Sequence, residues 1–522
     1  MRLMTLLKKP QKPTPMVDVG VPLLVTAFFA CTSSYDVSVA QVVAALLLCW
    51  MPWAAYRNWL RGDRNGIPLF AFLAAMFWVA YAVSFFWTKH VVSGVFGRRV
   101  LMESAITDSL YLAILGVVCL WLGMRVAACF HWLPGIRADV SDSPNRQNYL
   151  RASFVVGTLI KAFVPITAFG AGGRQIVSNL ANVVPVVGFA ILVRYYLRSR
   201  IVQFDKFLIY SYGLIALVVG ISSGWLGSFV GTGVVCAVVY VYERRKFPMR
   251  AALVVLPIIL FFQPAKSTFR DRYWKEESSD SLIERASFWV ENSWTLWNKA
   301  FMNQDGEQIK ELADATLSRL SLLQQSANVI ELTPSRVPYQ YGSLYSYIAV
   351  TFVPRFLWPD KPSVNDANQW YQITYGLTDR RQLSSVSIAV GTVAESYINF
   401  GWFGPLLIIF PLGIFLGSFE RIFLQADSGL LFSCLGAVLV PQLLAIESQM
   451  AEYVAGLMQQ ILLALVVLVP TLESKAQARN KAFRRSAPVP YSVKPETLTL
   501  HRPAEKFPRH ASWDGTTRNH SH

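Results

Sequence analysis

Residues Ser343–Pro405 read SLYSYIAVTFVPRFLWPDKPSVNDANQWYQITYGLTDRRQLSSVSIAVGTVAESYINFGWFGP. This stretch mixes long aromatic runs with several arginine, lysine and carboxylate side chains, unlike a transmembrane segment or an ordinary soluble loop. Nine apolar runs precede it and three follow it. The fold class therefore depends on what these runs form and on which side of a membrane they place the stretch.

The composition indicates a membrane protein. Of the 522 residues, 53% are hydrophobic and only 15% are charged, whereas a soluble protein has about 25% charged residues. The apolar runs last roughly 17 to 22 residues, the helical length that crosses about 30 Å of hydrocarbon. An alternating barrel pattern is absent. We predict an all-α polytopic membrane protein with about 12 transmembrane helices.

The positions of the runs predict the domain organisation. The runs before the stretch lie at residues 17–33, 37–56, 67–87, 105–125, 151–170, 175–194, 206–223, 225–242 and 250–264, and those after it lie at 402–420, 429–446 and 453–471. Residues 1–264 are predicted to form a nine-span region and 265–386 one large external, periplasmic loop domain between spans 9 and 10. Residues 387–472 supply an outer helix and the last three spans, and 473–522 form a basic, disordered cytoplasmic tail.

The distribution of positive charge predicts the orientation. With a cytoplasmic amino terminus, most loops on the inner side are arginine-rich, although Lys89, Arg98 and Arg99 fall outside. Between Lys266 and Arg381 there are 13 basic and 14 acidic residues, whereas from Lys475 onward there are ten basic and three acidic ones. We expect a multi-pass membrane protein with both termini in the cytoplasm and a tail attracted to anionic lipid. The net charge of +16 is then explained by basic residues that collect on the cytoplasmic side of the membrane, and not by nucleic-acid binding.

The segment Phe352–Pro362 contains three prolines, which forbid a regular helix or central strand. Arg355 and Lys361 lie there among aromatic residues. An arginine offers a planar fork to phosphate, so the segment could grip a lipid-linked diphosphate. The alternative is a structural clamp in which Arg355 pairs with Asp360 or caps a helix.

From Ser384 onward the spacing is helical again. Val386 to Phe423 would measure about 57 Å as one helix, which is too long for an ordinary span. We therefore predict a break at residues 400–405, with a partly buried helix before it. Glu395 lies on the polar face of that helix. An ionisable group at such depth is a functional-site candidate, and we predict a general base or an acceptor-orienting carboxylate. The alternative is an ion pair with Arg355 or Arg380.

Two motifs, VPRFLWPDKP at 353–362 and GTVAESYINFGWFGP at 391–405, together with the long outer loop, resemble the bacterial oligosaccharide repeat-unit polymerases, the O-antigen polymerase (Wzy-like) family. The resemblance extends to Arg319, to residues 329–334 and to the last three spans. Arg380 and Gly391 also have the arginine-to-glycine spacing of that family, but only one such pair is present.

The resemblance implies a metal-independent membrane glycosyltransferase without a cofactor. It would polymerise undecaprenyl-diphosphate-linked repeat units into a surface polysaccharide at the outer face of the inner membrane, alongside a chain-length regulator and a flippase. Diphosphate binding would fall to Arg355, Lys361 and Arg380, with Arg319 and Arg381 as further candidates. Glu395, with Arg355, would be catalytic. A glycan ligase using the same donor, or a flippase or other transporter, remains an alternative.

Overall fold

The apolar runs form α-helices, because a backbone in a low-dielectric environment must satisfy its own hydrogen bonds. Before the long loop, the helices are α1 (Pro15–Cys31), α2 (Val39–Arg61), α3 (Leu69–Phe77), α4 (Ser84–Trp87), α5 (Glu103–Ala128), α6 (Pro144–Phe163), α7 (Ala171–Leu197), α8 (Gln203–Ser222), α9 (Gly227–Arg244) and α10 (Met249–Phe262). A π-helical turn, Trp78–Val83, joins α3 to α4, and β1 (Val95–Phe96) pairs antiparallel with β2 (Arg99–Val100).

The second half of the chain is helical too. Its helices are α11 (Lys266–Tyr273), α12 (Leu282–Met302), α13 (Leu323–Leu332), α14 (Ser346–Thr351), α15 (Asp366–Thr374), α16 (Thr392–Phe400), α17 (Phe410–Phe423), α18 (Leu430–Leu443) and α19 (Met450–Leu468). Each of the twelve predicted runs overlaps one of the helices in the two halves. The all-α class is therefore confirmed.

The computed structural model describes residues 15–33, 37–62, 66–87, 95–96, 99–130, 136, 139–164, 171–222, 224, 227–273, 280–302, 312, 317, 320–351, 353, 358, 360–383, 388–425 and 428–473. Three predictions fall outside these residues: the roles of Arg319 and Arg355, and the disorder of the tail from Ser474 onward.

Among the residues that the structure describes, seven helices are long and apolar enough to cross a membrane: Val39–Arg61, Leu69–Phe86, Glu103–Ala128, Ile176–Leu197, Gln203–Ile221, Pro405–Phe423 and Met450–Thr471. The pair α10 and α11, bent by 53°, would make an eighth. Length and composition thus identify a membrane-embedded protein. The predicted count of twelve depends on the remaining helices, which are shorter, such as α18, or more polar.

Helices α5 and α17 meet at their backbones. A Cβ atom added to Gly123 of α5 would overlap the carbonyl oxygen of Phe410, and one added to Gly413 of α17 would overlap that of Leu120. Small residues at such crossings let membrane helices approach closely. The contact fixes the start of α17, and hence the segment just before it.

The described residues between 265 and 386 contribute to two hydrophobic cores. Phe269 and Tyr273 of α11 form a small core with Phe262 and with Trp289 of α12. The Trp289 Nε1–H donates a 3.0 Å hydrogen bond to the carbonyl of Phe262. By contrast, α13 and α15 contribute to the main core, together with the apolar helices. The second part of the predicted loop is thus packed into the body of the protein.

Hydrogen bonds between helices form two sets, which lie at opposite ends of α2 and α5. Each of these two helices has one terminus in each set. One set includes Arg57 to Asp18 (2.9 Å), Arg421 to Ala128 (2.6 Å), Tyr242 to Gln425 (2.6 Å) and the group of Arg194, Arg198 and Glu243. The other includes Gln41 to Thr107 (3.0 Å), Met102 to Glu331 (3.1 Å) and Met450 to Glu395 (2.7 Å). We call these regions the arginine end (residues 57–62, 194–206, 242–250, 421–425 and 428) and the Glu395 end (residues 322–345, 391–404 and 444–450).

Candidate functional site

The site is built on the nine-residue helix α16. Gly391 precedes it with φ +81° and Gly401 follows it with φ +58°, values that favour glycine. The 3₁₀ turn Gly401–Phe403 and the π-helical Pro405–Ile409 then lead into α17. The predicted break at residues 400–405 is confirmed, and α16 is a short helix separate from the span that follows.

Every residue of α16 from Thr392 to Asn399 is buried. The sequence predicted one polar face, but tertiary packing covers that face as well. A buried polar group is costly unless it is hydrogen-bonded. Accordingly, the Ser396 hydroxyl donates to the carbonyl of Val393 at 2.7 Å, and the Thr392 backbone N–H donates to the carbonyl of Ile446 at 3.0 Å.

Glu395 is fully buried, with 0% of its surface exposed. Its Oε2 accepts a 2.7 Å hydrogen bond from the backbone N–H of Met450, the first residue of α19. Its Oε1 has no hydrogen-bond partner among the described residues. No described ion pair joins Glu395 to Arg380, one of the two predicted alternatives, and Arg355 lies outside the described residues.

Burial raises the pKa of Glu395 to about 8, since desolvation disfavours the charged form. The Met450 N–H opposes this rise by stabilising the carboxylate, and the nearby carboxylate of Glu452 adds to it. A carboxyl group with this pKa changes protonation close to neutral pH. It can therefore both accept and release a proton under physiological conditions.

Asn399, one helical turn after Glu395, ties α16 to the segment 339–345. Its Nδ2 donates to the carbonyl of Glu395 at 2.9 Å, and its Oδ1 accepts from the N–H of Gly342 at 2.9 Å. The backbone N–H of Tyr341 donates to the Asn399 carbonyl at 3.1 Å. This segment therefore lies against the carboxyl-terminal half of α16.

Other polar groups surround Glu395. Burial, and secondly the Glu395 carboxylate, raise the pKa of Tyr345 well above its usual range. Gln449, which precedes α19, is 2% exposed, and neither its Oε1 nor its Nε2 has a partner among the described residues. Burial also raises the pKa of Glu447 in the same turn. The region holds more hydrogen-bonding capacity than its own structure uses.

An open cleft of about 560 Å³ lies next to this segment, within the range of ligand sites in proteins. It is lined by Leu332, Arg336, Val337, Pro338, Gln340, Trp370, Thr374, Tyr375 and Gly376. The backbone N–H of Gln340 donates to the carbonyl of Ile398 in α16 at 3.0 Å. One wall of the cleft is thus hydrogen-bonded to the helix that carries Glu395.

The floor of the cleft is a buried polar layer between α13 and α15. The Thr333 and Tyr375 hydroxyls lie 2.6 Å apart, and the Asn328 side chain donates to the Tyr375 carbonyl at 3.4 Å. Helix α13 ends at Leu332, with Thr333 at its C-cap position. Its polar residue Gln324 is buried as well, because the main core surrounds this helix.

The predicted cations occupy different positions. Lys361 donates to the carbonyls of Val350 at 3.2 Å and Val353 at 2.8 Å, and so caps the end of α14. Arg380 and Arg381 are exposed in the 3₁₀ turn Arg380–Gln382. In the described part of the chain, no hydrogen bond or ion pair connects either arginine to Glu395. The assembly of the predicted cations into one diphosphate-binding site stays a prediction.

Sequence reasoning did not identify Arg336, Gln340, Trp370 or Gln449 as site residues. The cleft is formed by two segments, 332–340 and 370–376, that are about 30 residues apart in the sequence, so no local spacing signals it. The only available signal was the cluster of aromatic residues and proline at 338–347, which suits the faces of sugars. Within the described residues, no group of three His, Cys, Asp or Glu side chains is placed to hold a metal ion.

Comparisons with curated proteins and with solved structures found no match to this chain. A sequence model of one protein family, described as a domain of unknown function (DUF8712), matches residues 105–440. This range begins within α5 and ends within α18, and it therefore includes Glu395 and the cleft. Because the match spans more than half of the 522 residues, the chain belongs to the DUF8712 family.

Proposed function

We propose that this protein is a membrane glycosyltransferase that polymerises undecaprenyl-diphosphate-linked oligosaccharide repeat units into a surface polysaccharide. The observation that carries the proposal is the fully buried Glu395, which has no ion-pair partner among the described residues and lies on a broken helix whose backbone is hydrogen-bonded to the wall of an open cleft. An ionisable group at such a position is costly unless it has a function.

In this proposal the cleft holds the glycan of the acceptor. Trp370, which is partly exposed, offers a ring face to sugars, and Gln340, Thr374 and Arg336 offer polar groups. Because Glu395 is fully covered, the acceptor hydroxyl reaches it when the segment 339–345 moves off α16. The three hydrogen bonds from Gln340, Tyr341 and Gly342 to α16 are those that such a movement breaks.

The proposed step forms one bond and breaks one. The acceptor hydroxyl oxygen attacks the anomeric carbon of the growing chain, and its proton passes to the Glu395 carboxylate. The bond from that carbon to the diphosphate oxygen breaks, and undecaprenyl diphosphate leaves with the electron pair. Arg355, Lys361 and Arg380, with Arg319 and Arg381 in support, are proposed to stabilise the departing diphosphate.

The topology belongs to the same proposal. Twelve spans in the bacterial inner membrane, with both termini cytoplasmic, put the Glu395 end on the outer face, where lipid-linked repeat units arrive. The arginine end then faces the cytoplasm, in agreement with the positive-inside rule. A flippase that delivers the repeat units and a chain-length regulator are the proposed partners.

The test is polymer synthesis by the purified full-length protein in detergent, with lipid-linked repeat units as the sole substrate. Replacing Glu395 with Gln keeps the volume and an acceptor for the Met450 N–H. We expect it to slow polymer formation by roughly 100-fold to 10,000-fold, the usual contribution of an acid–base group. Glu291→Gln, on the exposed face of α12, is the matched control and should leave the rate unchanged. Arg355→Ala tests the diphosphate role in the same assay.

The outcome also separates the alternatives. Synthesis in detergent, without a closed compartment, excludes a flippase as the sole function. A deletion strain that accumulates single-repeat product identifies a polymerase, whereas one that accumulates full-length polymer on its lipid carrier identifies a ligase. Polymer of normal length and amount from Glu395→Gln would remove Glu395 from the mechanism.

A further inference from the structure

A second cavity, of about 860 Å³, lies at the arginine end, away from Glu395. Helices α7, α8, α9 and α10 form its walls, and the connection between α9 and α10 closes one end. Its lining extends along α7 from Leu197 to Phe189, a depth of about 12 Å at 1.5 Å per residue. The cavity therefore runs from the end of the helices toward the middle of the membrane.

The deeper part of this cavity is apolar. Phe189, Val193, Ile209 and Val255 contribute aliphatic and aromatic surface from three helices, α7, α8 and α10. On α8, Tyr210 lines the cavity and is itself 64% exposed on the outside of the protein. The cavity thus opens on the lipid-facing side of the helices, where an acyl chain can enter without crossing water.

The part near the helix ends is positively charged. Lys206, Lys246 and Arg250 all line the cavity, and among the described residues none of their side chains has a hydrogen bond or an ion pair. The two nearest acids in sequence have other partners. Asp205 accepts from Arg151 at 2.7 Å, and Glu243 accepts from two other arginines, as described above. Three cations thus face the cavity without a described counter-charge.

We infer that this cavity binds an anionic phospholipid, with its phosphate among Lys206, Lys246 and Arg250 and its acyl chains along the apolar wall. Basic pockets between membrane helices favour such headgroups, each cation near the surface contributing a few-fold in affinity. A soluble anion would leave the apolar wall uncovered, and a zwitterionic lipid would leave the three charges unmatched. The undecaprenyl diphosphate substrate belongs at the Glu395 end in the proposed function, so this site would be separate from it.

The charge of the site is tested by native mass spectrometry of the delipidated full-length protein. The probes are dioleoyl phosphatidylglycerol, dioleoyl phosphatidylcholine and undecaprenyl phosphate. We expect phosphatidylglycerol to bind at least tenfold more tightly than phosphatidylcholine. The triple replacement Lys206→Gln, Lys246→Gln and Arg250→Gln should abolish that preference, whereas Lys206→Arg, Lys246→Arg and Arg250→Lys, which keep the charge, should retain it.

The shape of the site is tested by two glycines of α9. Gly233 lines the cavity, and neither Gly233 nor Gly231 has any atom within 4 Å of an added Cβ. Gly233→Phe should fill the cavity and weaken phosphatidylglycerol binding at least tenfold. Gly231→Phe, two residues away and not among the lining residues, is the matched control and should bind as the parent protein does.

Three results would overturn the inference. One is equal binding by the charge-neutral triple variant and the parent protein. Another is equal weakening by Gly233→Phe and Gly231→Phe, which would show that neither acts through the cavity. The third is displacement of phosphatidylglycerol from the site by equimolar undecaprenyl phosphate, which would make the polyprenyl carrier the ligand. Since none of these readouts uses polymer synthesis, failure here leaves the proposed glycosyltransferase activity standing, and the reverse also holds.

Discussion

Two glutamates in the interior, one at each end of the helices, are held in opposite ways. At the arginine end, the Glu243 carboxylate accepts hydrogen bonds from Arg194 and Arg198, and the Arg194 guanidinium lies 4.4 Å from the centre of the Tyr242 ring. At the Glu395 end, the carboxyl group has one backbone N–H and no described cation.

The difference between Glu243 and Glu395 indicates which of the two glutamates has a purely structural role. A buried ion pair with several hydrogen bonds offsets its own desolvation, so Glu243 needs no further role to explain it. Glu395 is more completely buried, with 0% of its surface exposed against 13% of the Glu243 side chain, and it has no such compensation among the described residues. Its environment holds the carboxyl group near the point of changing protonation, which is what acid–base chemistry requires.

The largest expected loss of stability comes from removing the ion pair between Arg194 and Glu243. Arg194→Met removes the cation that is 4% exposed and leaves Glu243 and Ser433 each short of a partner. Loss of one member of a buried pair costs about 3 to 5 kcal/mol. The thermal midpoint in detergent should fall by many degrees. A midpoint like that of the parent protein would show that the Arg194–Glu243 pair contributes little to the fold.

The next largest effect is a pH dependence of stability that arises from Glu395. Because the folded protein raises the pKa of Glu395 to about 8, above the usual value near 4.3, its contribution to stability is complete below about pH 4.3. That contribution is lost as pH rises towards 8. Each pKa unit corresponds to about 1.4 kcal/mol, so the loss amounts to a few kcal/mol.

The measurement is the thermal midpoint of the parent protein and of Glu395→Gln from pH 5 to pH 9. The midpoint of the parent should fall over this range, and the variant should lose most of that slope. Burial also raises the pKa of Glu447, so ionisation of Glu447 likewise lowers the thermal midpoint as pH rises. The variant Glu447→Gln therefore shows how much of the slope comes from Glu447. A slope unchanged by Glu395→Gln would contradict the assignment.

A smaller effect should come from Asn399, which joins the Glu395 end to the cleft. Asn399→Ala leaves the Gly342 N–H and the Glu395 carbonyl without the partners that they have now. Unsatisfied buried groups cost about 1 to 3 kcal/mol each. Hydrogen exchange followed by mass spectrometry should show faster exchange in residues 339–345. Unchanged exchange there would mean that Asn399 does not hold this segment.

The smallest effect is expected from Arg198→Met, on the exposed side of the arginine end. The Arg198 side chain is 41% exposed, and exposed ion pairs contribute roughly 0.2 to 1 kcal/mol. Its thermal midpoint should stay within a few degrees of the parent value. A loss as large as that of Arg194→Met would show that the two arginines act as one unit.

Much of the fold could be predicted from local pattern. Apolar runs of the right length place the helices, as in α2, α5 and α19, because helix formation and membrane burial both act over consecutive residues. The break before α17 could be predicted from length and from Gly401, Gly404 and Pro405. The spans that are shorter or more polar, such as α6 and α18, show the limit of this reasoning: pattern locates a helix without deciding that it crosses the membrane.

The candidate site could be predicted only in part. Glu395 was found because a charge in an apolar helical pattern is conspicuous in the sequence. Its companions were not, since Met450, Gln449 and Gly342 join it from turns that are 50 or more residues distant in the sequence. Lys361, chosen as a phosphate ligand, is used at least in part to cap α14, a contact that residue type alone does not reveal.

The sequence by itself determined that this chain is a helical membrane protein and where most of its helices lie. It also determined that Glu395 is an ionisable group within an apolar helical pattern. These features depend on neighbours in the chain, which the sequence contains. Only the tertiary structure decided that α16 is buried on every side, that Glu395 meets the start of α19, and that Glu243 is neutralised by Arg194 of α7 and by Arg198 just after that helix. Those features depend on contacts between distant segments, and burial, which sets the cost of each charge, arises only from such contacts.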